Sequence, residues 1–95
     1  VRVEFSDEAK RDLEAIAAFI ARDSPLAAER WVDRLADRAL KLAVAPHAGR
    51  VVPEFKDPLV RQVLVRTYRI IYRVEPHRVL VLTVVEGHRR LVPGG

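Results

Sequence analysis

Apolar residues recur at helical spacing from Ala9 to Leu42, and from Val60 to Val85 they alternate or run together as they do in strands. Val1-Arg2-Val3-Glu4-Phe5 alternates apolar and polar positions, the pattern of a half-buried strand. Ser6 is placed to cap a following helix, and Asp7 and Glu8 complement its positive end. Ala9, Leu13, Ile16, Ala17 and Ile20 then form one apolar stripe. Asp23-Ser24-Pro25 restarts the chain, with Ser24 as the next cap and Pro25 at the first helical position. Ala28, Trp31, Val32, Leu35, Ala39 and Leu42 make a second stripe, which Pro46 and Gly49 end. The short connection predicts an antiparallel helical hairpin. Residues 46–60 hold three prolines and a glycine and are expected as a loop. Strands are predicted at about 60–66, 68–75 and 78–86, with Glu75-Pro76-His77-Arg78 turning between the last two. The expected fold is α+β in the order β-α-α-β-β-β: an N-terminal strand and a helical hairpin packed on an antiparallel sheet. The second face of that sheet is left open, or left for a partner.

Ninety-five residues suit a single domain, 1–95, with a modest core. Without cysteine, neither a disulfide framework nor a thiolate metal site is possible. That suits a reducing cytoplasm. The longest apolar run, Val79 to Val85 with Thr83 inside it, is far shorter than the roughly 20 residues that span a bilayer. Charge changes the picture more. The net charge is +4, but residues 1–60 hold ten Lys+Arg against eleven Asp+Glu, whereas residues 61–95 hold seven arginines against two glutamates. Only three of the seventeen basic residues are lysine. Arginine's planar fork suits phosphate and carboxylate, although codon usage in a GC-rich genome enriches it too.

Strand alternation puts Tyr68, Ile70, Tyr72 and Val74 on one face and Arg69, Ile71, Arg73 and Glu75 on the other. Arg69 and Arg73 then stand roughly 13 Å apart, at about 3.3 Å per residue. Arg61, Arg66, Arg89 and Arg90 are candidates to join them in a surface for RNA phosphates or an acidic protein segment. A solvated face of Arg–Glu pairs is the bland alternative. His88 is a candidate acid or base near neutral pH, or simply an exposed histidine at a strand end. No metal-ligand spacing and no Gly-rich phosphate loop occurs, so neither metal nor cofactor is expected. Ser6 and Ser24 read as caps rather than nucleophiles, Glu54 as a structural loop carboxylate, and Trp31 as core rather than a stacking platform.

The chain resembles the ParE/RelE superfamily of type II toxins. The resemblance runs through Phe5-Ser6-Asp7-Glu8-Ala9 with Asp12-Leu13 and Ile16, then Ser24-Pro25 with Ala27-Ala28. It continues through Pro46, Gly49-Arg50 and Pro53-Glu54 to Arg61-Gln62, Tyr68 through Val74, and Gly87-His88-Arg89-Arg90. It implies the same element order and a cognate antitoxin whose disordered segment folds over the toxin, in a hetero-oligomer. Charge complementarity favours an acidic antitoxin tail. It also implies one of two targets. ParE-like members poison DNA gyrase; RelE-like members cut mRNA in the ribosomal A site. Arg69 and Arg89 match arginine positions of the mRNA-cutting branch, with His88 as the acid or base. Gln62 and Leu64, however, stand where RelE carries lysines, and the terminal tyrosine is missing. The helical hairpin and the Gly-Arg-x-x-Pro-Glu segment look more like ParE. The expectation is therefore a gyrase inhibitor, with Arg61, Arg66, Arg69, Arg73, His88, Arg89 and Arg90 facing target or antitoxin. A ribosome-dependent endonuclease using Arg69, His88 and Arg89, or an inactive relative, are the alternatives.

Overall fold

The computed structural model describes residues 1–87. It has β1 (Arg2–Phe5), α1 (Asp7–Ala21), α2 (Pro25–Leu40) with a 3₁₀ turn at Lys41–Ala43, β2 (Arg50–Val51), β3 (Val60–Val65), β4 (Tyr68–Val74) and β5 (Arg78–Glu86). The α+β class and the strand–helix–helix–strands order expected from the pattern are both present. Both helices start as their caps predict: the Ala9 N–H donates to Ser6 Oγ at 3.0 Å and the Ala27 N–H to Ser24 Oγ at 3.1 Å. Such a cap contributes about 1 kcal/mol.

The five strands form one sheet in the order β1-β5-β4-β3-β2. β3, β4 and β5 make the expected antiparallel meander. β1 lies parallel to β5, so the sheet is mixed, and the two-residue β2 pairs with Arg61 and Gln62 inside the segment expected as loop. A two-residue strand has too little pattern to declare itself.

The helical hairpin covers one face. Leu35, Leu42, Ile70, Tyr72, Val79 and Val81 are fully buried there, with Phe5, Leu13, Ile16 and Trp31 packed around them. Burying one such large side chain contributes about 1.5–3 kcal/mol, more than any single cap. Trp31 is indeed packed against the core, edge-on to Tyr68 with ring centroids 5.3 Å apart.

The other face is neither open nor waiting for a partner along β4. The segment after β2 folds under it, and Val52, Val60 and Ile71 form a second buried cluster with Phe55, Leu82 and Val85. Pro53, Pro58 and Gly49 signalled irregular backbone in the sequence. The apolar Val52 and Phe55 are what turn that backbone back onto the sheet.

A bulge interrupts the β4–β5 ladder: Ile71 pairs with Thr83 and Tyr72 with Val81, leaving Leu82 unmatched. α1 secures β5 just where β1 ends. Ser6 Oγ donates to the Leu82 carbonyl at 2.8 Å, and the Val84 N–H and the Thr83 hydroxyl both donate to the Asp12 carboxylate. Ser6 thus caps a helix and anchors a strand with one hydroxyl.

Candidate partner-binding surface

The arginines expected on one open face have unlike surroundings. Arg69 is buried. Its Nε donates to Gln62 Oε1 at 2.7 Å, and its two terminal nitrogens meet the Glu54 carboxylate at 2.9 and 3.0 Å. This two-pronged pairing is the strongest geometry a guanidinium and a carboxylate can adopt. Arg69 therefore ties the loop carrying Glu54 to the sheet. Glu54, expected as a structural carboxylate, is its counter-charge. Arg73 shares that face but is about two-fifths exposed, and its nearest carboxylate, Asp57, is 3.8 Å away. An exposed pair at that distance contributes little.

Arg61 turns to the helix-facing side opposite Tyr72, where one terminal nitrogen donates to the Gly49 carbonyl at 2.9 Å. Its Nε is buried with no hydrogen-bond partner among the described residues. Gly49 belongs to a tight clasp. The Tyr72 hydroxyl accepts from the Gly49 N–H at 2.9 Å and donates to the Pro46 carbonyl at 2.8 Å. A Cβ on Gly49 would lie 2.5 Å from the Gln62 carbonyl oxygen and 2.6 Å from the Tyr72 hydroxyl, so only glycine fits. Burial holds the Tyr72 phenol above its ordinary pKa, partly offset by its hydrogen bond from Gly49 and by Arg61 and Arg38 nearby.

Arg78, at the start of β5, is bonded to both Glu75 and Glu4. The hydrogen bond from Arg78 holds the Glu4 carboxyl below its usual range. His88, Arg89 and Arg90 lie outside the described residues. Of the positive surplus of the C-terminal third, Arg69, Arg78 and, loosely, Arg73 have carboxylate partners, and Arg61 is spent on a carbonyl.

Arg66 is different. It is exposed in the two-residue β3–β4 connection and sits at φ 56°, a left-handed conformation that glycine or asparagine adopts more readily. It borders a groove of about 580 Å³ between the hairpin and α2. Arg30, Arg34, Arg38 and Lys41 line the helical side. Among the described residues none of these five cations has an ion-pair partner within 4.0 Å. Arg34 instead lies over the Trp31 ring, 5.3 Å from its centre. Of this surface the sequence reading had only Arg66 and missed the helical side, because α2 belongs to the half of the chain whose charges nearly cancel. The four-residue spacing of Arg30, Arg34 and Arg38 was the available signal.

Among the described residues no group of three or more His, Cys, Asp or Glu is placed to hold a metal, and no helix is long and apolar enough to cross a membrane. What the site offers is cationic and hydrogen-bonding recognition.

Residues 3–91 match the family model of the ParE toxin of the type II toxin–antitoxin system parDE. The chain belongs to the ParE toxin family. No curated protein sequence matches it. Among solved structures, the chromosomal ParDE toxin–antitoxin system from P. aeruginosa aligns with 90% of this chain and 95% of its own, with a TM-score of 0.76 at 19% identity. The RelBE2 toxin–antitoxin complex from Mycobacterium tuberculosis aligns over 90% and 88%, with a TM-score of 0.65 at 22% identity. At such identities the likeness is one of fold. This ParE family member shares its overall fold with both.

Proposed function

We propose that this ParE family toxin binds and inhibits DNA gyrase and is held inactive by a cognate antitoxin in a hetero-oligomeric complex. The observation that carries this reading is the state of the sheet face where phosphate chemistry would be done. Arg69 is engaged by Glu54 and Gln62. Its neighbours across the ladder are Leu64 and Val85, and Gln62 lies beside it. None of those three side chains exchanges a proton at neutral pH. A nuclease would have to release Arg69 from Glu54, the carboxylate that could otherwise exchange a proton here, or draw its acid or base from outside the described residues, where His88 lies. An inhibitor that acts by binding needs only a stable surface, which the Arg69–Glu54 pair supports. Membership of the ParE family points the same way, and the antitoxin-bound relatives of the same fold favour an antitoxin partner.

The test is a supercoiling reaction with purified folded toxin, gyrase, ATP and relaxed plasmid. Loss of supercoiling that antitoxin reverses is the expected outcome. Undiminished supercoiling at excess antitoxin-free toxin would overturn the gyrase reading, and ribosome-dependent mRNA cleavage would replace it.

A further inference from the structure

β1 is an edge of the sheet: among the described residues its only strand neighbour is β5. The Ser6 N–H donates to the Val81 carbonyl at 2.9 Å. Alternation along the strand turns the peptide groups of Glu4 and Arg2 toward β5 as well, and leaves those of Val3 and Phe5 facing outward. Such an edge is a template for a further strand, and natural edges are blunted by proline, bulges or repelling charge. β1 has no proline, and its ladder to β5 runs unbroken from Arg2 to Phe5. Val3 and Phe5 pack toward the core, so Arg2 and Glu4 share the face away from the helices. Their charges are opposite in sign. Val1-Arg2-Val3-Glu4-Phe5 reads apolar, cationic, apolar, anionic, apolar, and turned end for end it complements itself.

We propose that the β1 edge is a self-association surface, which joins two copies of this chain antiparallel about a two-fold axis at Val3 into one continuous sheet. In that register each Arg2 stands opposite Glu4 of the second copy, and each Val1 opposite a Phe5. The backbone agrees. The outward groups of the two Val3 residues exchange a pair of N–H···O bonds, and each Phe5 N–H meets a Val1 carbonyl. A shift by one residue would set outward peptide groups against inward-turned ones. A shift by two would set Arg2 opposite Arg2, or Glu4 opposite Glu4, which repels. Apolar surface flanks the edge. The Val1 amino group donates to the Ala43 carbonyl at 3.2 Å, and Val1 and the adjoining Val44 are 59% and 89% exposed. The largely exposed Arg2–Glu4 pair within one copy is exchanged for the pair between copies at little cost. Strands this short bury less than a permanent interface does, so the dimer is weak and fills with concentration. β1 and β2 are opposite edges of the sheet, and the proposal stands whether or not gyrase is the target.

The experiment is sedimentation velocity on purified antitoxin-free protein, in a series from about 10 μM to about 1 mM, the range of weak complexes. Monomer should give way to dimer along the series. Arg2→Glu sets like charges opposite each other twice by symmetry, and should raise the dimer's dissociation constant by about tenfold or more. Because Arg2 is exposed, the variant should unfold in urea much as the parent does at the lowest concentration. Arg22→Glu, on the helical hairpin, should leave the dimer intact. Amide hydrogen exchange supplies a second readout. The Val3 amide should become protected only as dimer forms, whereas the Glu4 amide, turned toward β5, should be protected at every concentration. A monomer throughout the series, a dimer that Arg2→Glu leaves intact, or a Val3 amide whose exchange ignores concentration would each overturn the proposal. None of these outcomes bears on the supercoiling test, which reads gyrase activity and not association of the toxin.

Discussion

The Tyr72 hydroxyl is buried and joins β4 to a loop 23 to 26 residues earlier in the chain. Phenylalanine would keep the ring's packing but leave the Gly49 N–H and the Pro46 carbonyl without their partner. Tyr72→Phe should therefore lower stability by about 1–3 kcal/mol, measured as a lower urea midpoint at unchanged slope. The pH dependence has a definite sign. Burial raises the folded-state pKa of Tyr72 above the ordinary 10.0. Its contribution is fully present below pH 10 and is lost as pH rises through the folded-state value, because the unfolded phenol ionises first. Tyr68 is raised as well, mainly by burial and further by Glu86, so both phenols act on the alkaline side. The alkaline fall in stability should be shallower in Tyr72→Phe without vanishing. Identical alkaline limbs in parent and variant would show that Tyr72 ionises as freely folded as unfolded. Tyrosine and glycine were both visible in the sequence, but their meeting was not. A phenol and a glycine so far apart carry no pattern that pairs them.

The loop between β2 and β3 becomes part of the fold through one charged pair and a few apolar contacts. Val52 and Phe55 pack under the sheet, and Glu54 grips Arg69. Removing one partner of such a pair strands the other charge in a nearly dry site. Glu54→Ala should cost on the order of 3 kcal/mol. Much of that loss should return when Arg69→Met is added, because the pair as a whole is replaced by apolar volume. Urea unfolding of the two single variants and the double variant measures this, and purely additive losses would contradict it. Arg69→Glu would set a second carboxylate beside Glu54, so its effect on any binding has to be separated from its effect on folding. The helices were legible here because their signals are local: Ser6 and Ser24 cap within three residues, and the stripes repeat each turn. The Arg69–Glu54 pair spans 15 residues of irregular chain, and no periodicity links its members.

The N-terminal strand closes the far edge of the sheet, pairing in parallel with β5 from Arg2 opposite Arg78 to Phe5 opposite Val81. Contacts between the chain's two ends are slow to form and depend on everything between them being in place. Arg78 links this edge to the β4–β5 turn by bonding Glu4 and Glu75 together. The folded-state pKa of Glu4 lies below the ordinary 4.5, chiefly through the Arg78 hydrogen bond. Its stabilising contribution is present above pH 4.5 and is lost as pH falls through the folded-state value. Arg78→Gln should therefore flatten the acid limb of thermal stability below pH 4.5 relative to the parent. An unchanged limb would show that the bond contributes nothing in solution. Charge also has to be read over the entire molecule. The linear balance placed the excess on the last third, but the fold matches several of those arginines with carboxylates and, among the described residues, gives the cations of α2 and Arg66 no ion-pair partner.

Helix ends, strand alternation, hairpin positions and the family resemblance were all legible in the amino-acid order, because each depends on residues a few positions apart or on a pattern of such residues. The α+β class followed from them. The parallel pairing of β1 with β5, the bulge at Leu82, the loop folded under the second face and the partner of every arginine were not legible in this way. Each depends on distances between groups far apart in the chain, which exist only once the sheet and the helical hairpin have packed. The same physics explains Arg69 and Arg38. Both are arginines at regularly spaced positions, but the folded chain carries a carboxylate to the first and leaves the second facing an open groove.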